Sequence, residues 1–218
     1  MDNKTISKVI PIIKKAVEKL KPPIVTYVAN QHTSPFKVLI ITVISLRTKD
    51  EVTGKAGERL FKLADTPETM SKLSTKQIEK AIYPAGFYKV KASNIKKISE
   101  ILIKYFNSKV PDDLDTLLTL PNVGRKTANL VLIEGFKKLA MCVDIHVHRI
   151  SNRIGYVKTK TPEETEFALR DKLPKKYWLE YNWILVAFGQ TICKPVSPFC
   201  SKCPIEKYCK RINITKSR

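Results

Sequence analysis

Apolar residues recur at helical spacing along almost the whole chain. Ile6, Val9, Ile10, Ile13, Val17 and Leu20 fall at three- and four-residue intervals, with lysines on the opposite face, the stripe of an amphipathic helix. Pro11 is expected in the first turn of this helix or at a kink in it, and Pro22-Pro23 is expected to stop it. Phe36 to Leu46 (FKVLIITVISL) is apolar all round, which predicts a central helix buried on every side. Its β-branched residues suit a strand, but its length favours a helix. Further amphipathic stretches cover 52–63, 75–82, 88–107, 112–118, 124–136, 145–154, 162–173 and 177–191. The connections are short and polar, with Thr66-Pro67, Ala85-Gly86, Val110-Pro111 and Thr161-Pro162 as turn signals. No internal repeat or low-complexity tract interrupts the pattern. The predicted fold is all-α.

Composition adds a partner class. Of 218 residues, 43% are hydrophobic and 28% charged, enough apolar content for a sizeable core. Forty Lys and Arg stand against twenty Asp and Glu, a formal net charge of +20. Such a field favours a polyanion, and nucleic acid is the commonest for a folded protein. Charge alone does not separate DNA from RNA or an acidic membrane surface, and a generally lysine-rich surface would read the same way. The first twenty residues lack the apolar run and cleavage site of a signal peptide, and no stretch is apolar for long enough to span a bilayer. A soluble cytoplasmic protein with no membrane partner is the expectation.

Four of the five cysteines crowd near the C-terminus. Cys193, Cys200, Cys203 and Cys209 follow C-x6-C-x2-C-x5-C, and the residues between the first two are turn-forming. This is the donor set of a zinc site or an iron–sulfur cluster. Two disulfides are the alternative, disfavoured by the expected reducing compartment. Cys142 stands apart and reads as a small buried hydrophobe.

Two further segments carry chemistry. Residues 117–131, LLTLPNVGRKTANLV, read as a helix end, a tight hairpin over Leu120–Gly124, and a new helix starting at Arg125 or Lys126. Gly124 supplies a backbone free to take φ > 0 and to approach a ligand closely. The N–H groups at the new helix start suit a phosphate, which would clamp a nucleic-acid backbone without reading its bases. A plain helical corner is the competing reading. Downstream comes Val143-Asp144-Ile145-His146-Val147-His148-Arg149. Asp144 reads either as a helix N-cap or as the start of a D-x-H-x-H metal-ligand string of a hydrolase.

Taken together, SPFKVLIITVISLRTKDEVT, GFYKVKASNI, LPNVGRKTANLVL, VDIHVHRISNR and the four-cysteine loop resemble the endonuclease III family. That family is the 4Fe–4S branch of the helix–hairpin–helix DNA glycosylase superfamily, and the resemblance covers nearly the whole chain. It implies two helical domains with a DNA-binding cleft between them. One spans 26–137, with six helices and the helix–hairpin–helix motif at about 113–136. The other combines 1–25 with 138–218 and ends in the cluster loop, 193–209.

The resemblance also assigns roles. Lys126 falls on the family's catalytic lysine and Asp144 on its catalytic aspartate. The implied activity is base excision repair on damaged duplex DNA: removal of oxidised or ring-saturated pyrimidines, then cleavage of the abasic site by β-elimination through a lysine Schiff base. A carboxylate suits the cationic sugar of the transition state, and an amine suits the nucleophile. The helix start and the cations Arg125, Lys137 and Lys138 are expected to favour the free amine. Mismatch-directed uracil or thymine removal on the same fold, and a non-catalytic metal-containing DNA-binding module, are the alternatives. Asn122, Val123, Gly124 and Arg125 are implied as DNA contacts. So are Arg47 and Phe87, from two loops that fill the gap left by the extruded base. The family usually carries Gln and Leu at those two positions, so Arg47 points to a different opposite-base preference. Asn122 stands where Gly is common and Ile145 where Thr is frequent, and His148 matches only some members. The cluster is implied to be structural, with Lys194 and Lys202 near phosphates. Lys207, Lys210 and Arg211 follow. A monomer near the nucleoid is the expectation.

Overall fold

The structure, a computed structural model, describes residues 1–31 and 34–218. It is helical, with no strand among the described residues. The helices are α1 (Asn3–Val17), α2 (Ile24–Ala29), α3 (Pro35–Ser45), α4 (Asp50–Leu63), α5 (Pro67–Lys72), α6 (Thr75–Ile82), α7 (Tyr88–Phe106), α8 (Leu114–Leu118), α9 (Arg125–Phe136), α10 (Ile145–Arg153), α11 (Pro162–Lys172) and α12 (Trp178–Thr191). Among the described residues no helix is long and apolar enough to cross a membrane. The chain divides into a central unit, Ile24–Lys138, and a terminal unit made of Met1–Pro23 with Leu139–Arg218.

In the central unit, α3 is buried along nearly its whole length, from Phe36 to Ile44. It packs against α9, α4, α2 and α7, which accounts for its apolar residues on every side. Ser34 starts it by accepting a hydrogen bond from the Lys37 amide, with Pro35 at the first helical position. Gly57 lets α4 approach closely, since a Cβ there would stand 2.5 Å from Ile41 Cδ1. α5 and α6 both pack on α7.

In the terminal unit, Ile6, Val9, Ile10, Ile13 and Val17 of α1 join Tyr181, Ile184, Leu185 and Phe188 of α12 in one core. Asp2 caps α1 through a 2.7 Å bond from the Thr5 amide. Ser151 of α10 reaches the Tyr181 hydroxyl at 3.0 Å, tying the buried face of α10 to the same core.

Of the two positions expected for Pro11, the structure takes the one inside the helix, past the first turn of α1. Other details depart from the sequence expectation. α1 ends at Val17, before the two prolines, so Leu20 is exposed and off the stripe. Thr66-Pro67 is the start of a helix: Thr66 and Thr69 form a reciprocal cap and Pro67 takes the first position. Both α5 and α2 are six residues long and lie outside the stretches read as helical, and among the described residues they raise the count in the central unit from six to eight.

Candidate active site and nucleic-acid interface

The hairpin belongs to the central unit. α8 ends at Leu118, and Leu120 and Val123 turn inward as buried anchors. The Val123 amide closes the turn on the Leu120 carbonyl at 3.2 Å. The positive φ sits at Asn122 (62°), a residue type that tolerates this conformation. Gly124, whose backbone is free to take either sign of φ, is extended, with φ −90° and ψ 177°. Its lack of a side chain has another consequence: a Cβ at Gly124 would meet nothing within 4 Å. The backbone is therefore bare on that side, and the N-cap residue of α9, Gly124, brings no side-chain cap.

Arg125 and Lys126 are half-buried on the first turn of α9. Lys137 and Lys138 do not join them. They lie at the far end of α9, about 16 Å of helix rise away. Lys137 pairs with Glu134 at 3.5 Å and Lys138 with Asp112 at 2.6 Å. Their expected influence on Lys126 is overturned by helix length.

Arg47 and Phe87 come together within this unit. The Arg47 guanidinium lies 5.5 Å from the Phe87 ring centre, over its face. Both residues hold left-handed backbones, φ 51° and 57°, and Phe87 is 62% exposed. The Gly86 amide donates to Thr48 Oγ1 at 3.1 Å, joining the two loops.

Asp144, in the terminal unit, is the N-cap of α10. Its Oδ1 accepts from both the His146 and Val147 amides, each at 2.9 Å. The helix start thus fixes the position of the carboxylate. The D-x-H-x-H string does not close on a metal. His146 and His148, two residues apart, face different sides of α10. Nδ1 of His146 meets Arg149 at 3.1 Å, and Nδ1 of His148 meets Thr165 Oγ1 at 2.7 Å.

None of the five cysteines is in a disulfide. Cys193, Cys200, Cys203 and Cys209 line one pocket, walled by Ile154, Phe188, Ile192, Phe199, Ile205 and Ile214. Cys142 is buried away from that pocket. Burial pushes the Cys203 thiol up to about 11 and raises Cys209 as well. Two arginines of α10 anchor the loop. Arg153 donates to the carbonyls of Lys194 (2.7 Å) and Pro195 (2.6 Å) and lies 3.6 Å from Cys193 Sγ. Arg149 donates to the Cys193 carbonyl at 2.9 Å. The Arg211 amide points at Cys209 Sγ, 3.4 Å away. Lys194 lies over the Phe199 ring, which Arg218 also covers, while Lys202 is exposed on a short 3₁₀ turn. The anchoring roles of Arg149 and Arg153 escaped sequence reading. Their only signal was two arginines four residues apart on one face of α10.

Residues 40–175 match the HhH-GPD superfamily of base excision DNA repair proteins. Endonuclease III of Thermotoga maritima is 48% identical over 89% of this chain and 92% of its own length. The chain belongs to the endonuclease III family. Members are DNA glycosylases and abasic-site lyases of base excision repair, and the chain is an enzyme of that kind. Endonuclease III of Bacillus subtilis is 35% identical over 82% of each chain. The chain spans about half the length (47%) of a chloroplastic endonuclease III homologue of Arabidopsis thaliana. Among solved structures, a trapped endonuclease III–DNA covalent intermediate, an estranged-adenine complex, matches with TM-score 0.86 at 33% identity over 97% of both chains. A thermostable thymine-DNA glycosylase matches with TM-score 0.81 at 25% identity, over 96% of this chain and 97% of the other.

Proposed function

We propose that this endonuclease III family member removes oxidised or ring-saturated pyrimidines from duplex DNA and then nicks the abasic site, with Lys126 as nucleophile and Asp144 as its partner. The observation that carries the reading is the placement of Lys126 on the first turn of α9, behind a bare hairpin backbone whose N-cap is the side-chain-free Gly124. Helix N–H groups and an unobstructed glycine suit a DNA phosphate, which would set a sugar beside the lysine. The covalent endonuclease III–DNA intermediate of the matching structure supports a nucleophile that bonds to DNA.

In this mechanism the Lys126 amine attacks C1′ as the C1′–N bond breaks, and the base leaves with the bonding pair. Asp144 stabilises the positive charge that builds on the sugar and accepts the proton lost by the amine. Its Oδ1 is committed to the helix cap, and Oδ2 takes no part in that cap. The C1′–O4′ bond then opens, O4′ taking the bonding pair and the proton that Asp144 returns. The protonated imine left on C1′ makes the C2′ proton acidic, and its loss expels the 3′ phosphate. Arg47 and Phe87 fill the space vacated by the extruded nucleotide. Lys194 and Lys202, with the hairpin residues Asn122 to Arg125, meet phosphates.

The four cysteines would hold a structural 4Fe–4S cluster. A four-cysteine set also suits zinc, and the family resemblance and the C-x6-C-x2-C-x5-C spacing favour the cluster. Four thiols around one apolar pocket, with N–H groups aimed at two sulfurs, suit the wider cluster. When bound, the cluster supplies the charge that holds the loop together.

Borohydride reduction during turnover tests the nucleophile. The wild-type protein should trap covalently on thymine-glycol duplexes, and Lys126→Gln should abolish the adduct. A Lys126→Gln protein that still traps normally would place the nucleophile elsewhere. The matching thymine-DNA glycosylase keeps mismatch-directed removal as the second reading, and processing of mismatched uracil or thymine in preference to thymine glycol would establish it.

A further inference from the structure

α7 turns Lys91, Ile95, Ile98 and Leu102 into the central unit. Three of these are aliphatic, but the first is a lysine only 2% exposed. Its Nζ donates to the Ile44 carbonyl at 2.6 Å, to the Leu46 carbonyl, and to Thr48 Oγ1 at 2.9 Å. All three ammonium donors are used. The acceptors lie at the C-terminal end of α3 and in the loop after it, where a helix dipole favours a cation. Burial still pushes the ammonium down to about 8, so an apolar residue would be the easier occupant of this stripe position.

The three acceptors show what the ammonium achieves. Leu46 and Thr48 flank Arg47, so one charge grips the chain on both sides of it. Thr48 Oγ1 also accepts from the Gly86 amide, the residue before Phe87. Arg47 and Phe87 themselves hold left-handed backbones, which non-glycine residues keep only where the surroundings impose it.

We propose that Lys91 is a positioning residue that locks Arg47 and Phe87 in the geometry they need to fill the gap in the duplex. The proposal rests on the reading of Arg47 and Phe87 as gap-filling residues. Lys91 is buried and acts through them, without touching DNA.

The test uses the full-length protein as isolated. Lys91→Met keeps the apolar stem and removes the ammonium, and Thr48→Val is a milder second variant that removes the link to Gly86. Arg47→Ala and Phe87→Ala serve as references. A 2-aminopurine placed opposite a tetrahydrofuran abasic analogue brightens when inserted side chains unstack it. Abasic-site incision is measured in parallel on duplex and on single-stranded DNA, where there is no stack to fill. Lys91→Met and Thr48→Val should lower the fluorescence rise and slow duplex incision by about tenfold to a hundredfold, with single-strand incision unchanged. Combining Lys91→Met with Arg47→Ala should add little to either single loss. Equal losses on duplex and single strand would overturn the proposal, because they would mean general damage. A normal fluorescence rise in Lys91→Met, alongside its loss in Arg47→Ala and Phe87→Ala, would overturn it and leave the gap-filling reading standing. If those two references also brighten normally, the gap-filling reading fails and takes the proposal with it. Should Lys91→Met not fold, Thr48→Val decides between the same outcomes.

Discussion

A Cβ on Gly86 would stand 2.5 Å from the main-chain oxygen of Arg47. The loops carrying Arg47 and Phe87 are therefore in backbone contact. A backbone oxygen cannot swing aside as a side-chain tip would, so Gly86→Ala should force the loops apart. The expected cost is about 1–3 kcal/mol of stability, the usual range for overpacking, read by thermal or chemical denaturation. Incision of abasic duplexes should fall at the same time. A variant as stable and as active as the parent would show that this contact is slack.

Gly124→Ala tests the hairpin in the opposite sense. The residue is extended and its Cβ would meet no protein atom, so the fold should lose less than about 1 kcal/mol, the difference between glycine and alanine as caps. The new methyl would project from the backbone that the proposed phosphate approaches. Affinity for an abasic-analogue duplex should drop about tenfold, equivalent to about 1.4 kcal/mol. Unchanged affinity would remove the hairpin from the DNA interface.

Asp144 carries two duties that substitution can separate. Asparagine caps a helix about as well as aspartate, so Asp144→Asn should fold with only a small loss while base removal slows about a hundredfold or more. Asp144→Ala should be about as inactive and also lose about 1–2 kcal/mol, because the His146 and Val147 amides lose their acceptor. Full glycosylase activity in Asp144→Asn would reduce the residue to a cap.

The cysteine pocket makes a prediction that does not depend on activity. The purified protein should be brown, with broad visible absorption and about four iron atoms per chain, and Cys203→Ser or Cys209→Ser should lose the colour and destabilise the terminal unit. Borohydride trapping should survive EDTA, since no exchangeable metal enters the proposed bond-breaking. A colourless protein with one zinc per chain would replace the cluster assignment.

How legible the chain was depended on length and on locality. Helices of eight residues or more announced themselves by period, and α6 occupies the 75–82 segment that its periodicity marks. The six-residue α2 and α5 did not, although the Thr66–Thr69 cap marks the start of α5. The Asp144 cap was readable from its position before an apolar-periodic run. The extended φ of Gly124 was not, because glycine permits positive φ without requiring it, and Asn122 took the strained position instead.

The sequence by itself determined the all-helical class, the order of the motifs, the basic character of the surface and the four-cysteine donor set. These depend on residue type and spacing within one helix or one loop. Only the tertiary structure decided which residues meet across long separations. It showed that Lys91 reaches back to the end of α3, that Arg47 stacks on Phe87, that Arg149 and Arg153 anchor the cysteine loop, and that Lys137 and Lys138 stand at the far end of α9. Lys91 lies among several lysines in one stretch of chain, and periodicity cannot say which of them is buried or what it bonds. That is settled by how α7 packs on α3, a contact between helices more than forty residues apart in the chain.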